Sequence, residues 1–348
     1  MYETNVLETD RTEDQPVSAK TRAKSRSHDK SRRMQLLERM GCFDFENQTI
    51  LIERATTVDD LCDVFKLAYD CYVEKGYIKS DDSGMRIRIY DLMPETATFV
   101  AKDKCKVVGV TGAVIDSPNL RVPTDKVFHK ELELLRRAGR KICEGTNWLI
   151  APEYRRSCVL TELTRCCLAQ AIVLGCHDLL ATVSPGHRPY YELLGFELFG
   201  SERNYSKDDD VYDPVVLLRL RVDGLDERFA GIDINGEDDE AILKRHYIVN
   251  NPYHDKIELW TAASDAFFHN SALLRELFVK RTNFLATCSP QDLAIIRQRW
   301  GDELLNDVLR PSLVDLIRQL SKLLSRGENL LRDVLNRNHV RQDPSQAA

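Results

Sequence analysis

A carboxylate, Glu144, stands inside the run "KICEGTNWLIAPEYR" of a 348-residue chain. The apolar pattern of that run predicts a strand leading into a proline turn. A carboxyl group buried in a strand has its pKa raised, toward the range in which it can accept a proton near neutral pH. The other reading is an ordinary ion pair with Arg140 or Lys141 at the strand's edge. A second concentration of functional side chains, His187, Arg188, Tyr190 and Tyr191, lies on one turn of "GHRPYYELLGF". Pro189 suits the first turn of a helix and Gly195 its end. The tyrosines there either pack the turn or turn a hydroxyl into a site. His187 caps the turn, meets water or bonds within the site. The ten cysteines form no C-x-x-C and no Cys-His group at ligand spacing. They read as buried thiols in a reducing compartment, with no metal-ligand set.

These residues need elements to hold them. "TILIERAT" reads as a strand, and the helix after it opens at Thr57, with Asp60 completing a capping box. Leu61, Val64, Phe65, Ala68, Tyr72 and Val73 share one face of that helix. "TATFVAKD" and "CKVVGVTGAVID" form a hairpin, and "TDKVFHKELELLRRAGR" a helix before the Glu144 strand. "SCVLTELTRCCLAQAIVLG" is a long helix, followed by the strand "DLLATVSP", the Tyr191 turn, and the strands "FELFG" and "VVLLRLRV". The alternation predicts an α/β layer architecture over residues 49–222. Residues 1–33 are polar and expected to be disordered. Residues 223–340 form a helical extension, with a Ser289 cap and an apolar seam from Leu313 to Leu331. Its helices pack on the core, or else meet a second copy or a membrane surface.

Hydrophobic residues at 43% can build a large core, and a net charge of −6 argues against nucleic acid as partner. No run reaches the roughly 20 apolar residues of a membrane span, and the N-terminus has no secretory apolar core. A cytoplasmic protein is expected.

With that order in place, "YYELLGF" resembles the "FYxxxGF" segment of GNAT-fold N-acyltransferases. "LIAPEYRRSCVLTELT" resembles their acyl-donor segment, a strand entering a helix N-terminus. Arg156, Cys158 and Leu160 replace its glycines, filling space that a CoA pyrophosphate would need. Autoinducer synthases also lack those glycines and take acyl groups from acyl carrier protein. "CEGTNWLIAP" is similar to their "E-x-S-R-x-x-V", with Glu144 and Thr146 matched and Asn147 in place of the arginine. "YDLMPETATFVAK" matches their acidic stretch at Asp91, while Ala68 or Asp70 stands where an arginine is expected. The mixture most resembles FeeM-type N-acyl amino acid synthases.

The resemblance implies a GNAT-like fold and transfer of a long-chain acyl group from acyl carrier protein, or from CoA, to an amino acid amine. No bound cofactor is implied; the donor's acyl-phosphopantetheine is a substrate. Glu144 would accept the amine's proton and Tyr191 would protonate the departing thiolate. Backbone N–H groups of Leu149, Ile150 and Ala151 would hold the oxyanion, beside Arg155, Arg156, Ser157 and Cys158 at the donor. Tyr72, Asp91, Thr146, Trp148 and His187 would face the acceptor. Arg136, Arg137, Arg140, Lys141, Arg155, Arg156 and Arg165 would give an acidic carrier protein a cationic landing face. The alternatives are a CoA-dependent N-acetyltransferase and a non-catalytic protein that binds acyl groups or their carrier. Lactone synthesis fits less well without the missing arginine.

Overall fold

The computed structural model describes residues 30–43, 50–204, 214–311 and 321. Its strands are β1 (Ile50–Arg54), β2 (Ala97–Asp103), β3 (Lys106–Ile115), β4 (Ile142–Ile150), β5 (Asp178–Val183), β6 (Glu197–Asn204) and β7 (Pro214–Arg221). They form one sheet in the order β1-β2-β3-β4-β5-β7-β6. The helices among them are α1 (Arg32–Arg39), α2 (Val58–Glu74), α3 (Asp125–Arg137), α4 (Val159–Val173) and α5 (Arg188–Leu193). The succession over residues 50–221 is the one the apolar periods predict, and it is a GNAT-like α/β fold.

β1 to β4 pair antiparallel. β4 and β5 run parallel, but pair only over Ile142–Gly145 against Asp178–Ala181. Both strands continue past that point, so a wedge opens between them after Gly145. β4 also bulges. Gly112 lies opposite Thr146 and Val110 opposite Leu149, so two residues face one, and Asn147 absorbs the extra residue at φ 52°. Asparagine tolerates this left-handed conformation better than most side chains.

Local chemistry explains the helix ends, with two departures from expectation. Thr57 accepts the Asp60 N–H at 3.1 Å, but the Asp60 carboxylate sits 2.7 Å from Lys102 instead of completing a box. α1 starts within the stretch expected to be disordered, because Ser31 caps it by accepting from Met34 and the apolar Met34 and Leu37 are buried. Residues 1–29 lie outside the described residues.

The extension continues as α6 (Leu225–Phe229), α7 (Asp239–Lys244), α8 (His254–Phe268), α9 (Ser271–Arg275), α10 (Pro290–Trp300) and α11 (Asp302–Leu309). Ser289 and Asp292 make the expected reciprocal cap of α10. These helices pack on the core. Tyr247, Tyr253 and Ile257 share a cluster with Leu163 and Cys167 of α4, and Phe278 and Trp300 share one with Leu61 and Phe65 of α2. One polar knot joins the halves. Arg165, with only 2% of its side chain exposed, pairs with Glu162 at 2.7 Å and donates to the His246 carbonyl at 2.9 Å. The Tyr253 hydroxyl donates to Glu162 at 2.5 Å. The seam expected from Leu313 to Leu331 lies outside the described residues. Among the described residues, no helix is long and apolar enough to cross a membrane.

Candidate functional site

Glu144 stands on β4 opposite Leu180 of β5, one residue before their pairing ends. Burial there leaves its side chain almost dry, with the residue 3% exposed. It is not paired with the cations next to it in sequence. Arg140 is taken by Asp178 at 2.5 Å and Asp223 at 2.9 Å, and the Lys141 ammonium donates to the Leu174 carbonyl. Glu144 instead accepts the Thr124 backbone N–H at 2.9 Å. Loss of hydration dominates that bond and the more distant Arg88 charge, pushing the carboxyl up to about 8.

The wedge widens into a cavity of about 930 Å³. Glu144, Thr146, Trp148, Leu149 and Ile150 line it from β4, and His187 and Tyr191 from the turn after β5. Tyr72 reaches it from α2, and Arg155 and Ser157 from the loop before α4. The structure therefore gathers most of the expected site residues around one space. Tyr191 is 4% exposed, its ring set edge-on to Trp148 at 6.0 Å and to Phe196 at 5.6 Å. The same burial pushes its hydroxyl's pKa up, so the proton stays on at neutral pH. The neighbouring Tyr190 hydroxyl is also buried, so neither tyrosine is an ornament of the surface. The Trp148 indole N–H folds back to donate to the Gly145 carbonyl at 2.9 Å.

Several expected residues fall elsewhere. Ala151 donates its N–H to Val108 at 2.9 Å and is spent on the sheet. Antiparallel ladders alternate bonded and non-bonded pairs, so Leu149, opposite Val110, is spent the same way. That leaves Ile150, whose N–H points toward the wedge. Cys158 is buried as the first residue before α4, and Arg156 is exposed outside the cavity lining. Of the three residues replacing the donor-loop glycines, Leu160 alone lines the cavity. Asp91 is behind the wall, where it takes Arg88 at 3.0 Å.

The cationic face is also thinner than expected. Arg165 is internal, and Arg136 is held by Asp116 at 2.8 Å and Glu133 at 2.9 Å. Arg155 pairs with Glu74 at 2.7 Å.

Arg86 and Arg88 are the residues the sequence reading missed. Arg88 donates to Thr146 at 2.7 Å and to Asp91. Arg86 stacks on the Tyr72 ring at 3.8 Å and reaches the Asn147 side-chain oxygen at 3.5 Å. Both line the cavity. Their signal was the alternation in "RIRIY", with Arg86, Arg88 and Tyr90 separated by isoleucines.

Residues 63–221 match the family model described as FeeM, N-acyl amino acid synthase. No curated protein matches the chain. Similar solved structures include FeeM, an N-acyl amino acid synthase from uncultured soil microbes, at 20% identity and TM-score 0.44, covering 50% of this chain and 91% of that one. Another is BjaI, a CoA-dependent acyl-homoserine lactone synthase, at 17% and 0.38, covering 56% and 97%. A GNAT-family acetyltransferase from Streptococcus pneumoniae aligns at 16% and 0.36, covering 49% and 99%.

Proposed function

From a FeeM-like, GNAT-related acyltransferase unit over residues 63–221, we propose an enzyme that moves a long-chain fatty acyl group from acyl carrier protein to an amino acid amine. The observation that carries this reading is Glu144, a dry carboxylate with a pKa near 8 at the mouth of the β4–β5 wedge. An amino acid arrives as an ammonium ion, and Glu144 takes one of its protons. The amine then attacks the thioester carbonyl. A C–N bond forms while the Ile150 N–H holds the oxyanion, a contact worth about 2.7–4 kcal/mol in comparable sites. Collapse breaks the C–S bond, and the Tyr191 hydroxyl protonates the departing thiolate. The nitrogen's second proton becomes acidic once the C–N bond has formed and leaves to solvent. The proton on Glu144 returns through solvent to Tyr191, so the cycle closes with the net release of one proton.

Leu160 on the cavity side of α4 favours a carrier-protein donor over CoA, since it takes up space a pyrophosphate would need at that helix end. The apolar lining, with Leu37 from α1, Met40 just after it, and Trp148 and Leu149 from β4, suits a fatty chain. All ten cysteines are unbridged, the state a reducing cytoplasm maintains, and we place the protein there.

The test is mass spectrometry of lipid extracts from cells making this chain, beside a Glu144→Gln control. New N-acyl amino acids present with the first and absent with the second are expected. A folded chain that yields no acyl amide, yet retains acyl carrier protein, would replace the enzyme with a binding module.

A further inference from the structure

We propose that the Thr182 hydroxyl holds the attacking amine beside Glu144, and that Thr124 is a positioning residue for both groups. The inference rests on the acyl-transfer reading above and deepens it at the same site. Thr124 stands immediately before α3 and is fully buried. A threonine in that place commonly turns its hydroxyl onto the first N–H groups of the helix. Thr124 makes no such cap. Its hydroxyl pairs with that of Thr182 on β5, while its backbone N–H donates to the Glu144 carboxylate at 2.9 Å. One residue therefore bonds to both β4 and β5.

The bridge spans the place where the two strands part. Glu144 lies opposite Leu180, and the pairing of β4 with β5 stops one residue later, at Gly145 and Ala181. Thr182 is the first residue of β5 beyond that point. Side chains two apart on a strand share a face, so Thr182 points the same way as Leu180, which packs with Phe128 and Leu132 of α3. Glu144, opposite Leu180, shares that face. On its other edge β5 stays paired with β7 through Val183, which holds Thr182 in the sheet where β4 has left it. Glu144 and Thr182 both line the cavity. Whichever hydroxyl of the threonine pair donates, the Thr182 oxygen keeps a lone pair for a further donor. An amine that has passed one proton to Glu144 still carries N–H groups. With one of them on Thr182, its direction of attack is fixed at two points instead of one.

The test measures initial acylation rates with palmitoyl acyl carrier protein and the best acceptor among the common amino acids, beside the melting temperature of each variant. Thr182→Val and Thr124→Val keep the side-chain shape and remove a hydroxyl, and Thr124→Val leaves the N–H to Glu144 in place. Each is expected to lower kcat about 10- to 100-fold, the scale of a misdirected reactant, with the KM for the donor little changed. Thr182→Ser and Thr124→Ser should recover most of the rate. Because the two hydroxyls act as one unit, the double valine variant should be no slower than the worse single one. Thr182→Ala, on the cavity wall, gives the same reading should a valine variant not fold. Folded variants without the hydroxyl that keep the wild-type kcat, whatever their melting temperature, would make the pair a strut between α3 and β5 and overturn the assignment. Losses that multiply in the double variant would overturn the part given to Thr124. If the folded wild type acylates no amine at all, the acyl-transfer reading falls first and takes this one with it.

Discussion

In the proposed reaction, Glu144 serves as a base only after losing the proton that burial makes it keep. Its pKa of about 8 therefore predicts that kcat/KM rises with pH through an inflection near 8, and that Glu144→Gln flattens the rise. The same displacement has a stability sign. The native chain binds this proton more tightly than the unfolded chain, whose carboxyl titrates near 4.5. Stability from Glu144 is present at low pH and is lost as pH climbs from about 4.5 to about 8. Melting temperature should fall across that window, and less steeply in Glu144→Gln. The carboxylate itself was legible because a charge inside an apolar strand is conspicuous. Arg86 and Arg88 were not, because they sit in an extended segment whose cavity-facing side only the fold defines. Neither α2 position where an arginine was expected lines the cavity, since Ala68 is 1% exposed inside the core and Asp70 is exposed to solvent.

β4 carries the site because it is irregular. The bulge at Asn147 and the early end of pairing with β5 let Glu144, Thr146 and Trp148 all contribute to one cavity. Neither feature follows from residue alternation, which assumes regular pairing, so the expectation that three consecutive N–H groups were available was too generous. Gly145 is part of this geometry. A methyl group there would lie 2.5 Å from the Trp148 ring, forcing the indole off the Gly145 carbonyl and away from Tyr191. Gly145→Ala should cost about 1–3 kcal/mol as an overpacked core position, seen as a lower denaturation midpoint. It should also weaken acyl transfer, since the displaced ring lines the cavity. α2, α3 and α4, by contrast, followed their apolar faces and needed no such correction.

At the scale of the whole molecule, several described cations of the expected landing face are neutralised at home. Arg136, Arg140, Arg155 and Arg165 each pair with an acid of the same chain, largely buried for all but the exposed Arg155–Glu74 pair. Composition reports the count of such charges and says nothing of their partners, which is why the landing face looked stronger in the sequence. Donor capture should accordingly respond weakly to salt. kcat/KM for an acyl carrier protein donor is expected to change less than tenfold as the Debye length shrinks from about 30 to about 10 Å. The Glu162–Arg165–Tyr253 knot carries a different consequence, one that concerns inheritance. Losing Arg165 alone strands a buried carboxylate, whereas replacing the ion pair by apolar residues of similar volume can be nearly neutral. The fitness of a change at one of these positions thus depends on what stands at the others. Residues some ninety positions apart drift together or not at all, and a tail exchanged between relatives would have to bring its own match for α4.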